Sequence, residues 1–322
     1  MIIACYSLEK FSHKVIYRMS LQALPYILTL GFFYGTGLIA DRFSIGQFAP
    51  TTYLFLRLGI SSLGFIIIFV FKLNGRSWPR GAEIWKKGAV LGVLGSAAPM
   101  ILIMTSLKYQ SSGVTSILIT LNPAITLIMA HIFLEDERFN LWMVFGIGTA
   151  FVGALLLVML GESGLADLAE FNPVGYVLVI LAMICAAAMT IYVRKSMRGL
   201  DSFQVGAVRI MVAALVFLPL SLLGDGIDLS RVDRQGLFAL GWATLAGTFL
   251  GISLEFYNVK RFGARVSSMT TYVMMLTATL GGWLILKEVI TPGILAGMAL
   301  VVTGIVLTNR ANGKQTSGKS GQ

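Results

Sequence analysis

Residues 112–139 read SGVTSILITLNPAITLIMAHIFLEDERF, and residues 264–290 read ARVSSMTTYVMMLTATLGGWLILKEVI. Sliding the chain by 151 positions lays Ser116 on Ser267, Thr120 on Thr271, Thr126 on Thr277 and Glu137 on Glu288. The same shift lays Gly146 on Gly297 and Gly153 on Gly304. In so apolar a chain matching leucines carry little weight, whereas coincident small, polar and acidic positions mark two copies of one membrane unit.

The apolar background is itself decisive. Of 322 residues, 56% are hydrophobic and 12% charged, with a mean hydropathy of +0.81, too little polar surface to face water. Ten apolar runs follow one another at 21–40, 51–71, 88–107, 114–134, 141–160, 174–193, 203–223, 237–257, 266–286 and 293–309. Most approach the ~20 residues that a helix needs to cross the hydrocarbon core. They are expected to be helices, because unpaired backbone amides are not left in lipid and a closed barrel would show alternating segments of roughly ten residues instead. The fold class is therefore an all-α integral membrane protein of ten transmembrane helices. Before the first run, residues 8–20 carry a helical alternation of basic and apolar positions, readable as a short interfacial helix or as a frayed basic tail. No small-residue cleavage site follows, so no cleavable signal is expected.

Lysine and arginine set the orientation. With the N-terminus inside, cytoplasmic segments hold eighteen of them, including Lys10, Lys14, Lys86, Lys87, Arg194, Lys195, Lys260 and Arg261, against Arg42, Lys108, Arg231, Arg234 and Lys287 on the other side. Both termini are thus expected in the cytoplasm. Five spans per copy is an odd number, so the second copy sits upside down, an inverted repeat with its axis in the membrane plane. The expected division is an N-terminal segment 1–20, a first unit 21–160, an acidic external linker 161–172 acting as a hinge, a second unit 173–309 and a disordered cytoplasmic tail 310–322. A net charge of +10 spread in short clusters fits anionic lipid headgroups, and no nucleic-acid partner is expected.

An arginine several residues into the second and seventh runs (FLRLG around Arg57, AVRIM around Arg209) adds to this. So do the acidic endings of the fourth and ninth, Asp136-Glu137-Arg138 and Lys287-Glu288-Val289. With ten spans in two five-helix units, the chain resembles the EamA branch of the drug/metabolite transporter superfamily. Neither ending has the glycine usual in that family before the glutamate, and the second lacks the arginine. The resemblance implies a permease of the bacterial inner membrane with a central cavity lined mainly by helices 1, 3, 4, 6, 8 and 9, and helices 5 and 10 as peripheral buttresses. The function expected is a secondary transporter, exporting a small polar or amphipathic metabolite or drug by alternating access. The alternative is an exchanger, importer or channel-like permease without proton coupling. Its partners would be substrate, lipid and protons, as a monomer or homodimer.

An enzyme is not expected: the sequence holds no HExxH, GxSxG or Walker loop, and His13 and His131 do not make a metal site alone. No cofactor is called for, and Cys5 and Cys185 are read as inert thiols. Four Gly-x-x-x-Gly spacings, Gly31/Gly35, Gly88/Gly92, Gly247/Gly251 and Gly293/Gly297, suggest close helix contacts. Ionisable groups inside spans weigh most, because one near the bilayer centre costs roughly 2.5–3.5 kcal/mol on insertion scales unless it meets a partner or cavity. Arg57 and Arg209 each stand several residues into a span, as structural pins for neighbouring helices or as contacts for an anionic substrate group. Glu255, read as the one carboxylate embedded in a span, is either a salt bridge to Lys260 and Arg261 or a proton or cation site. Asn122-Pro123 interrupts the fourth run, where proline frees a carbonyl and the helix can kink. Its counterpart in the ninth is the polar cluster Thr270, Thr271 and Tyr272, and Tyr34 and Trp283 are candidate aromatic walls.

Overall fold

A computed structural model describes residues 2–134, 140–166, 172–197, 199–224, 226–263 and 267–319, with side chains described between 22 and 308. The endings at Asp136-Glu137-Arg138, the linker residues Asp167 and Glu170 and the start of the second repeated stretch at 264–266 lie outside the described residues.

Each apolar run becomes a helix. We number them α1 (Ile2–Ser44), α2 (Pro50–Val70), α3 (Ala82–Ser106), α4 (Ser112–Phe133), α5 (Leu141–Met159), α6 (Val174–Ser196), α7 (Ser202–Leu223), α8 (Arg234–Phe262), α9 (Thr270–Leu286) and α10 (Pro292–Lys319). Among the described residues eight helices are long and apolar enough to cross a membrane, with α9 and the apolar part of α10 shorter. The chain is a multi-pass membrane protein. Large apolar side chains such as Phe145, Met159, Leu223 and Phe238 stand exposed on the outside, while serines and threonines such as Ser106, Thr115, Ser116 and Thr244 are buried. That reversal suits a lipid solvent, in which small polar residues draw helices together.

Two expectations about the ends change. Residues 8–20 are continuous with the first span in α1, since nothing breaks the helix before Pro25 and one missing amide does not stop it. The tail, expected to be disordered, continues α10 to Lys319, because extending a nucleated helix needs only one further bond per residue.

The pairing of helices shows the repeat as an exchange. If α1 to α5 correspond to α6 to α10, then α1 on α9 is matched by α6 on α4, α1 on α8 by α6 on α3, and α2 on α8 by α7 on α3. The pairs α2–α7, α4–α9 and α5–α10 map onto themselves. The last shows the axis in atoms: a Cβ on Gly146 would stand 2.6 Å from the Gly304 carbonyl, and one on Gly153 would stand 2.8 Å from the Gly297 carbonyl. Residues equivalent by the 151-position shift thus meet each other's partners, as a two-fold contact requires. Three of the four Gly-x-x-x-Gly pairs fall at such helix contacts, Gly31 and Gly35 against α9, Gly88 and Gly92 against α7, and Gly247 and Gly251 against α1, while in the fourth Gly297 meets α5 and Gly293 meets the Glu162 side chain of the linker.

The repeat also places two irregularities. A π-helical stretch interrupts α3 at Val93–Ala97 and another interrupts α8 at Ala243–Leu250, overlapping positions under the same shift. α4 breaks between Ile119 and Asn122, with Pro123 opening its second half, the kink that Asn122-Pro123 suggested. The linker was expected to act as a hinge, but its described part is tied down. Ser111 donates its amide to the Ser163 carbonyl at 2.8 Å, Val289 to the Gly164 carbonyl at 2.9 Å, and Thr291 its hydroxyl to the Glu162 carboxylate at 2.6 Å.

Candidate functional site

A cavity of about 240 Å³ lies between the two halves. α1 gives it Tyr34, Leu38 and Asp41, α2 gives Leu54 and Arg57, and α3 gives Met100, Ile103 and Met104. Ile119 of α4, Arg209 of α7, Gly247, Thr248 and Ile252 of α8 and Met274 of α9 complete it. α5 and α10 supply no lining residue. The departure from expectation is that α6 also supplies none, while α2 and α7 carry both arginines into the wall.

Arg57 is built in. Its Nη1 sits 2.5 Å from Asp41 Oδ1 and its Nε donates to Thr248 Oγ1 at 2.8 Å, while the Tyr53 hydroxyl donates to the same Asp41 oxygen at 2.9 Å. Both charged side chains are buried, so each removes the cost of leaving the other alone in low dielectric. The cluster ties α1, α2 and α8 together. Gly247 makes room for it, since a Cβ there would stand 3.2 Å from Arg57 Nη2 and 3.4 Å from Gly37 Cα. Thr248 lies in the wide π turn of α8, and its hydroxyl reaches back five residues to the Ala243 carbonyl at 3.2 Å. Such turns are often found at functional positions.

Asp41 escaped the sequence reading. Glu255 is therefore not alone among span carboxylates, because α1 runs on to Ser44 and carries Asp41 into the bundle. The signal was a carboxylate one position past an apolar run, easily taken for a loop residue.

Arg209 is placed differently. It lines the cavity, its Nε is buried without a hydrogen-bond partner, and none of the ion pairs among the described residues includes it. Tyr34 and Glu255 are brought together, the Tyr34 hydroxyl donating to Glu255 Oε2 at 2.8 Å. Gly251 admits the ring, since a Cβ there would come within 2.6 Å of it. Glu255 itself is half-buried and stands beside the cavity rather than on its wall.

Four candidates are elsewhere. Thr271 turns its hydroxyl back to the Ser268 carbonyl at 2.8 Å, and Tyr272 packs against the apolar cluster of α4, α5, α6 and α10. Asn122 buries its Oδ1 without a hydrogen-bond partner at the break in α4, away from the cavity wall. Trp283 is 52% exposed on the outer surface.

Glu288, just beyond α9, is also buried. It accepts the Ser112 amide and hydroxyl, each at 2.8 Å, and the Gly113 amide at 3.3 Å, so a carboxylate meets the first turn of α4. Burial still pushes its carboxyl above the ordinary carboxylate range, with the Ser112 and Gly113 bonds and Arg42 pulling the other way. Among the described residues, His131 included, no group of three metal-ligating side chains exists.

Comparison with known proteins follows the same two halves. The EamA-like transporter family matches residues 21–159 and again 173–310. An "uncharacterized transporter" of Archaeoglobus fulgidus is 27% identical over 86% of this chain and 95% of its own length. YoaV of Bacillus subtilis, also described as a transporter, is 22% identical over 87% and 94%. YedA of Escherichia coli K12, described as an inner membrane transporter, is 22% identical over 80% and 85%. A protein solved by crystallography superposes with a TM-score of 0.62 at 17% identity, covering 91% of this chain and 97% of that one, a likeness of fold. The chain is a membrane transporter and belongs to the EamA-like transporter family.

Proposed function

We propose that the protein is a secondary transporter of the inner membrane that exports a small polar or amphipathic metabolite or drug by alternating access. The observation that carries the reading is the cavity itself. It sits at the interface of two inverted halves, takes lining residues from both, and holds a few fixed polar groups in an apolar wall, the usual composition of a small-molecule site. At about 240 Å³ it falls just below the ~300–1,000 Å³ of pockets for drug-sized ligands, so a small metabolite is the better fit. Carriage rather than a fixed pore is supported by the contact of Glu288 with Ser112, which holds the ends of α9 and α4 together on the side away from the basic clusters.

Flux into proteoliposomes tests it. A carrier saturates with substrate and shows counterflow, whereas linear, unsaturable flux across a metabolite panel would make the protein a channel. A second reading, an exchanger or facilitator without proton coupling, is favoured by the place of Glu255, which stands beside the cavity and is bonded to Tyr34.

A further inference from the structure

Arg57 and Arg209 occupy matching places in α2 and α7, and both reach the cavity. One is neutralised by Asp41 at 2.5 Å, and the other has no ion pair among the described residues. The wall itself carries one carboxylate and two guanidiniums, with Glu255 behind it on Tyr34, and Arg209 is the wall charge that makes no ion pair among the described residues and buries an Nε without a hydrogen-bond partner. We propose that the cargo is a small monoanion with an apolar body and that Arg209 holds its carboxylate. This deepens the transport reading and rests on the cavity being the cargo site.

The chemistry narrows the class. A cationic cargo would bring its charge against an unpaired guanidinium, and a dianion would leave one charge unbalanced close to Asp41. A carboxylate matches the planar fork of arginine, which donates two parallel hydrogen bonds. The remaining wall is apolar, with Leu38, Ile103 and the flexible Met100, Met104 and Met274. Methionine side chains repack around bodies of different shape, so the site selects by charge more strictly than by outline.

The test uses the purified full chain in detergent with 3-methylbutanoate and phenylacetate as probes, beside the amide and the amine of each. Only the acids are expected to raise the melting temperature. Arg209→Gln should remove that response. Arg209→Lys should keep the preference for acids with an affinity lower by about 10–100-fold, the worth of a hydrogen bond to a charged group. Equal stabilisation by amides or amines, silence from every probe, or an unchanged response in Arg209→Gln would overturn the proposal. If the glutamine variant does not fold, phenylglyoxal labelling of the wild-type chain decides, since phenylacetate must slow modification of Arg209 and a lack of protection overturns the proposal. Counterflow in proteoliposomes with phenylmethanesulfonate, which does not leak as a neutral acid, separates this from the transport reading. Saturable movement of the amine that is indifferent to Arg209 would sink the anion site and leave transport standing. Selective binding of acids, the sulfonate among them, without saturable movement of the sulfonate would keep the anion site and sink transport.

Discussion

Arg57 and Asp41 act as one unit, so removing half of it strands the other half. Replacing Arg57 by leucine leaves a buried carboxylate with only the Tyr53 hydroxyl, a loss of about 3–5 kcal/mol for a broken buried pair. We expect Arg57→Leu to lower the yield of monodisperse protein and its melting temperature sharply, and Asp41→Asn combined with Arg57→Leu to recover part of both. A normal melt for Arg57→Leu alone would show that the pair holds nothing together. Glu288 gives a second prediction, with a sign. Its carboxyl is held above the ordinary value, so the stability it contributes is complete below the unfolded pKa and is lost as pH climbs through the folded one. The melting temperature of the wild type relative to Glu288→Gln should therefore fall from about pH 4.3 upward, and a flat or rising difference would contradict the burial argument. The arginines were legible in the sequence because a charge inside an apolar run has few innocent explanations. Asp41 was not, because one residue of helix extension decides whether it is a loop residue or part of the wall.

Helices pack here where glycine lets backbones touch, and the seam between α5 and α10 offers a controlled test. A Cβ on Gly146 would lie 2.4 Å from Thr308 Oγ1, whereas one on Gly148, two positions along the same helix, would meet nothing within 4 Å. Gly146→Ala should push α10 away and lower the melting temperature, while Gly148→Ala should leave it unchanged or slightly raised, since alanine is the better helix former. Equal effects from the two would mean that the seam tolerates separation. The repeat of Gly146 on Gly297 and Gly153 on Gly304 was legible as a repeat though not as this contact, and Pro123 announced the break in α4, because glycine and proline act through the backbone and so leave a mark in residue type. The π stretches of α3 and α8 left no such mark. They depend on how a helix is pressed by its neighbours, which Val93–Ala97 and Ala243–Leu250 do not spell out in their own side chains.

At the scale of the whole molecule, the distribution of lysine and arginine fixes the expected topology, and a reporter fused at residue 166 should read outside the cell. An inside signal there would remove the inverted repeat together with the orientation. What the sequence could not place was the partnership of Tyr34 with Glu255, which joins residues 221 positions apart across the contact of α1 with α8. That bond gives proton coupling a definite test. Glu255 is the half-buried carboxylate beside the cavity with no ion pair among the described residues, whereas Asp41 is held by Arg57 and Glu288 lies beyond the C-terminal end of α9. If Glu255 carries the proton, Glu255→Gln should abolish accumulation driven by a pH gradient and leave exchange of labelled for unlabelled substrate intact, because exchange moves no net proton. Tyr34→Phe removes the hydroxyl that binds this carboxylate and should shift the pH profile of uptake without abolishing it. Full pH-driven accumulation by Glu255→Gln would place the carboxylate among the structural contacts of α8 with α1 and hand the proton to another group, whereas a wild type that accumulates nothing on a pH gradient would make the cycle exchange or facilitated passage with no proton taking part.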